Sequence, residues 1–156
     1  MMSVDFLNPF IESVFQVIDT EIGATGERGK LELHRDCHTT EEITVLISLI
    51  GEIRGVVLVG ISEPTALTIV STILDQPFSE FDELAQSGIG ELGNVIVGLA
   101  ATRLSEAGYH AELSPPTIIQ GRGTLISTLD FNRVVVPIKT SVGNIRLDLA
   151  LQITQN

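Results

Sequence analysis

Apolar side chains return along this chain in two rhythms, and each rhythm holds over a long block. Phe10, Ile11, Val14, Val17, Ile18 and Ile22 recur at the three-to-four-residue spacing of a helix face. Asn8-Pro9 ahead of them has the form of an N-cap followed by proline at the first helical position, and Gly23 supplies a stop. Leu31 and Leu33, and then the run Ile43 to Ile50, read as strands. Gly51-Glu52 turns the chain into a further strand, Ile53 to Ile61. Pro64 opens a second helix carrying Ala66, Leu67, Ile69, Val70, Ile73 and Leu74, which closes before Pro77.

A new unit begins at Ser79. Ser79 and Asp82 stand at capping-box spacing, with Asp in place of the usual Glu. Helical spacing then continues to about Gly108, in one piece or in two that meet near Gly88. His110 to Gln120, Thr124 to Leu129 and Arg133 to Thr140 are strand-like. The final run sets Ile145, Leu147, Leu149, Leu151 and Ile153 against Arg146, Asp148, Ala150 and Gln152. That period of two marks a strand with one dry and one wetter face, as in antiparallel sheets. Pro137 cannot donate to a ladder, so it predicts an edge or a bulge. Gly51-Glu52, Gly121-Arg122-Gly123 and Ser141-Val142-Gly143 read as short hairpin connections. The pattern predicts one α+β domain over 1–156, a two-layer antiparallel sheet with helices on one face. Asn8 to Leu33 and Ser87 to Leu113 share the order helix, glycine, polar strand. This suggests a degenerate internal αβ repeat, about 8–75 and 79–154. In that overlay Glu12 falls on Glu91 and Phe15 on Asn94.

Composition narrows the partners. The mean hydropathy is high, +0.34, yet no stretch of about 18 apolar residues exists to span a bilayer. The start, Met1-Met2-Ser3-Val4-Asp5, has no basic region leading into an apolar one, so no secretory signal is expected. A net charge of −11 repels phosphate backbones and anionic membrane surfaces, so neither nucleic acid nor membrane is expected as a partner. Without Trp and with one Tyr there is no aromatic platform for bases or sugars. Cys37 is the only cysteine, which excludes an intrachain disulfide and fits a reducing, cytoplasmic setting.

Several motifs fail on context. Gly88-Ile89-Gly90-Glu91-Leu92-Gly93 matches G-x-G-x-x-G, but acidic helix precedes it rather than an apolar strand, and Glu91 would face a pyrophosphate. His34, Asp36, Cys37 and His38 have no second ligand pair to close a zinc site, and His110 stands alone. Ser105 and Ser114 lie in no nucleophile elbow. Cys37 beside His38 does not make a thiolate, because neighbours on a strand point to opposite faces. No cofactor or metal of this chain's own is indicated.

What remains is the central helix. At about 100° per residue, Leu92, Val95, Ile96 and Leu99 form an apolar stripe and Asn94 lies nearly opposite. Glu91 is its neighbour one turn back. Ser87, Gly98 and Ala101, all small, extend this outer stripe. Each glycine inside a helix costs roughly 1 kcal/mol relative to alanine. Gly90, Gly93 and Gly98 therefore call for a close approach, by a partner or by the chain's own sheet and helices.

Gly88 to Gly108, with Glu91-Leu92-Gly93-Asn94 as Glu-x-x-Asn, then Gly98, Ala100 and Leu104, then Ser114-Pro115-Pro116-Thr117, resembles the CheC/CheX family of chemotaxis phosphatases. Asn8-Pro9-Phe10-Ile11-Glu12 resembles the opening of CheX proteins, and the likeness runs over nearly the whole chain. CheC proteins carry the motif twice; Phe15 in the first Asn position matches the single-site CheX arrangement. The resemblance implies a two-layer fold with a pseudo-twofold repeat and a homodimer joined through sheet edges. It also implies hydrolysis of the aspartyl phosphate on a CheY-like response regulator, with Mg²⁺ in the regulator, Asn94 placing water and Glu91 receiving a regulator lysine. The alternatives are a non-catalytic binding module for a receiver domain or other signalling protein, and a plain scaffold.

Overall fold

A computed structural model describes residues 4–35, 38–128 and 132–154. Among them the helices are α1 (Val4–Ile22), α2 (Glu63–Ile73) and α3 (Glu83–Glu106). The first half carries β1 (Gly26–Arg28), β2 (Glu32–His34), β3 (His38–Thr39), β4 (Ile43–Gly51) and β5 (Ile53–Ile61). The second carries β6 (Ala111–Leu113), β7 (Thr117–Gln120), β8 (Leu125–Ile126), β9 (Arg133–Thr140) and β10 (Gly143–Ile153).

Eight strands form one antiparallel sheet in the order β1-β9-β10-β5-β4-β6. β2 extends the β1 edge along β9, and β7 extends the β6 edge along β4. Ile43, Ile61 and Ile145 stand side by side across three strands, as do Val45, Val59 and Leu147. This register puts the odd-numbered apolar residues of the central strands on one face, where Phe10, Val14, Ile18, Ile69, Ile89 and Ile96 of the helices pack on them. Each such side chain, fully buried, stabilises the fold by about 1.5–3 kcal/mol.

The order of helix, two short strands, a two-residue strand and two long strands occurs from α1 to β5 and again from α3 to β10. The halves exchange edges: β1 and β2 pair with β9, while β6 and β7 pair with β4. Both edges slip by one residue at the same place. Residues 29–31 stand opposite Val136 and Pro137, and residues 114–116 opposite Ile47 and Ser48. Pro137 thus lies at a bulge, where its missing N–H leaves no ladder partner unmet, while its carbonyl accepts from Gly29 N at 2.7 Å.

Several boundaries differ from expectation. α1 begins at Val4, so Pro9 lies within it rather than at its start. Tertiary packing decides this: Leu7 is buried in the core and Phe6 meets Tyr109 edge-on at 4.8 Å. Proline's φ is helical, and a single absent donor is a tolerable loss. The N-cap of α3 is Asp82 alone, which accepts from Ala85 N at 2.9 Å, and the helix runs unbroken past Gly88. The predicted strand over 110–120 is split by the bulge, and of the run starting at Thr124 only β8 is strand; Leu129 lies outside the described residues. Gly121-Arg122-Gly123 is not a hairpin, because β7 pairs with β4 whereas β8 leaves the sheet to pair with β3.

Candidate active face on the central helix

α3 is wedged between α1, α2 and the β4, β6 and β7 side of the sheet. Its buried arc is therefore wide and takes in Ile89, Gly90, Gly93, Val97, Ala100 and Leu104 beside the predicted Leu92 and Ile96. Val95 and Leu99 are half-buried against the core. The strip left to solvent is narrow. It presents Leu84, Ser87, Glu91 and Thr102, with Asn94 and Gly98 half-exposed along it.

Glu91 and Asn94 lie one turn apart, where residues share a face. Among the described residues neither side chain is engaged in a hydrogen bond or ion pair with the rest of the chain. Ser87 is exposed as expected. Ala101 is a correction: it is only 9% exposed. It sits about 80° round the helix from Glu91, where α3 turns towards its buried side, and its short side chain does not reach out.

The glycines separate by cause. A Cβ on Gly93 would stand 2.8 Å from Val45 Cγ1, so glycine there lets α3 lie on β4. On Gly88 it would stand 3.2 Å from Val70 Cγ1 of α2, and on Gly90 it would make ordinary contact with Pro116 at 3.6 Å. On Gly98 it would meet nothing within 4 Å. No packing among the described residues explains that residue's helix-propensity cost of roughly 1 kcal/mol.

The rejected motifs take their places too. The G-x-G-x-x-G stretch lies inside α3, so its amides serve the helix rather than a phosphate. His34 Nε2 is 3.1 Å from Glu32 Oε2, and Asp36 and Cys37 lie outside the described residues. His110 Nδ1 is 2.9 Å from Ser105 Oγ, which lies in the last turn of α3, far from Glu91. Among the described residues no helix is long and apolar enough to cross a membrane.

Two hollows flank Glu91. One, of about 560 Å³, is lined by Glu83, Gln86, Ser87, Gly90, Pro116 and Ile118 as well as Glu91. The other, of about 280 Å³, lies towards α1 and α2 and is lined by Glu21, Ile73, Leu74, Gly88, Leu92 and Val95 with Glu91. The walls that Glu21, Ile73, Leu74, Pro116 and Ile118 supply come from segments distant in sequence and have no local signature. Leu84, 50% exposed, is different: seven residues before Glu91, it lies on the same strip, and helical spacing alone points to it.

The sequence matches the chemotaxis phosphatase CheX family over residues 43–139, a stretch that includes Glu91 and Asn94. It is 32% identical over 128 residues to the CheY-P phosphatase CheX of Thermotoga maritima, covering 81% of this chain and 83% of that one. The chain belongs to the CheX family. Its fold agrees with that membership. A CheC-like superfamily protein from Shewanella sp. PV-4 superposes with a TM-score of 0.88 at 26% identity, over 97% of this chain and 99% of that one. A chain from the complex of CheX with CheY, BeF₃ and Mg²⁺ from Borrelia burgdorferi has the same fold, with a TM-score of 0.81 at 23% identity over 96% and 99% of the two chains. The α+β architecture with an antiparallel sheet is thus that of CheC-like and CheX proteins.

Proposed function

We propose that this chain hydrolyses the aspartyl phosphate of a CheY-like response regulator, with Asn94 placing the water and Glu91 holding the regulator. The observation that carries the reading is the pairing of Glu91 and Asn94 on the outer strip of α3, their side chains unengaged among the described residues and beside a glycine that no described neighbour requires. The activity is the one in the name of the Thermotoga relative.

The acyl phosphate is already reactive, so the helper's main task is to set water in line with phosphorus. Asn94's amide carbonyl accepts from that water and its NH₂ donates to a phosphate oxygen. Water oxygen bonds to phosphorus as the bond to the aspartyl oxygen breaks. The products are a free carboxylate on the regulator and inorganic phosphate, which keeps the water's protons or passes one to solvent. Glu91, one turn away, accepts a charge-assisted bond from a lysine of the regulator and fixes Asn94 over the phosphate. The bare backbone at Gly98 lets the regulator come close. Magnesium, present with CheY in the Borrelia complex, belongs on this reading to the regulator, and the chain brings no cofactor of its own.

We read the chain as one cytoplasmic domain of two related halves, about 8–75 and 79–154; the matching element order and the two matching bulges support this. We also read it as a homodimer joined through a sheet edge, the edges being β1–β2 and β6–β7. Sedimentation as a monomer at micromolar concentration would remove the dimer.

The test of function is the lifetime of a phosphorylated CheY-like receiver mixed with the chain or with Asn94→Ala. Fast phosphate release that the folded variant loses is the expected result. Equal release by both, or binding without release by the wild type, refutes catalysis by Asn94.

A further inference from the structure

The hollow between α3, the end of α2 and the end of α1 is apolar on its walls, with Ile73, Leu74, Leu92 and Val95 half-buried or buried around it. Gly88 forms part of it and allows the two helices to close to within van der Waals range of Val70 and Leu74. Its rim carries two exposed carboxylates, Glu91 from α3 and Glu21 from the last turn of α1. Neither bonds to a described residue of the chain. Glu21 also stands at a helix C-terminus, where the helix's partial negative charge adds to its own and favours a cation.

An apolar slot between two carboxylates is complementary to a segment that carries an apolar side chain beside a basic one. Glu91 already belongs to the regulator's docking face, and the slot is continuous with it. We infer that Glu21 and this slot are a second docking element for the phosphorylated receiver, the slot seating one apolar side chain and Glu21 facing a lysine or arginine of the receiver. The inference rests on the phosphatase reading and deepens it. The receiver would bear on all three helices, and Glu21 would help choose which receivers are served, by charge rather than by chemistry at phosphorus.

Glu21 is exposed, so its replacement leaves the fold intact and isolates binding. The full chain is titrated with a beryllofluoride-activated CheY-like receiver, and steady-state hydrolysis of the phosphorylated receiver is measured beside it. Glu21→Lys is expected to raise Kd and KM about tenfold and to lessen their salt dependence, as reversal of a charge at an interface does. Leu74→Ala should weaken binding severalfold. Glu106→Lys, the same charge change at the other end of α3 and about 22 Å along that helix from Glu91, should shift neither constant by more than about twofold, since distant exposed charges are screened. Wild-type Kd and KM for both Glu21→Lys and Leu74→Ala, with Asn94→Ala still inactive, overturn the inference and leave the phosphatase reading standing. A wild-type chain that neither binds nor dephosphorylates the receiver overturns both.

Discussion

α1 and α3 lead the two halves of the molecule, and of the glutamates at their matching positions, Glu12 and Glu91, Glu12 has an ion-pair partner while Glu91 has none among the described residues. Glu12 on α1 lies 3.6 Å from Nη1 of Arg103, whose guanidinium also donates to Ser13 Oγ at 3.3 Å and to Gln16 Oε1. Arg103 belongs to α3, so the helix with the open face occupies the carboxylate of the other. One turn on, α1 carries Phe15, whose ring edge lies 3.0 Å from where a Cβ on Gly26 of β1 would stand. α3 carries Asn94 there, its side chain without a bond among the described residues. One turn further, α1 has exposed Asp19, whose charge repels a phosphate, and α3 has Gly98 with open space beside it. On the proposed reading, the same kind of helix makes a site where carboxylate, amide and bare backbone coincide.

The strongest way to break this comparison is to exchange the amide. Asn94→Ala should lower the rate of phosphate release about a hundredfold, the scale expected when a reacting group loses its positioning. Phe15→Asn with Arg103→Ala, added to Asn94→Ala, gives α1 an amide and a free carboxylate. Phosphate release should stay at the Asn94→Ala level, because Asp19 still blocks the approach; recovery of activity would show that the two faces are equivalent. Next in size is the carboxylate. A hydrogen bond to a charged group contributes about 1.5–3 kcal/mol, so Glu91→Ala should lower kcat/KM about tenfold or more. Glu12→Ala should leave kcat/KM unchanged, as its partner Arg103 is internal.

The glycines sharpen the account through stability. Gly93→Ala places a methyl 2.8 Å from Val45 Cγ1 and should lower the urea midpoint by the equivalent of about 1–3 kcal/mol, as overpacking does. Gly98→Ala meets no obstacle in the chain and should raise stability by roughly 0.5–1 kcal/mol while slowing phosphate release. A Gly98→Ala chain that is more stable and equally active would take the close approach out of the account.

The helices and long strands were legible because their apolar residues face a single core, and the periods of 3.6 and 2 survive into the fold as buried stripes. The start of α1 was not, since Leu7 and the Phe6–Tyr109 contact are long-range packing that outweighs a local proline signal. The one-residue bulges at 29–31 and 114–116 were hidden for a related reason, for they arise in the pairing of one half's edge with the other half's strand. That Glu91 and Asn94 share the outer strip of α3 was legible from helix spacing, while the role proposed for them comes from the family resemblance. Ala101 was misplaced because a four-residue apolar stripe understates the arc that a helix buries when it touches two helices and a sheet. Glu21, Ile73 and Leu74 could not be foreseen, as nothing in their spacing ties them to Glu91.

The most direct measurement follows the backbone amide resonances of the full chain as beryllofluoride-activated CheY-like receiver is added. The largest changes are expected along the outer strip of α3, from Leu84 through Glu91 and Asn94 to Thr102, while the resonances around Glu12 and Phe15 on α1 stay in place. Changes centred on Glu12 and Phe15, with the α3 strip undisturbed, would contradict the proposed site.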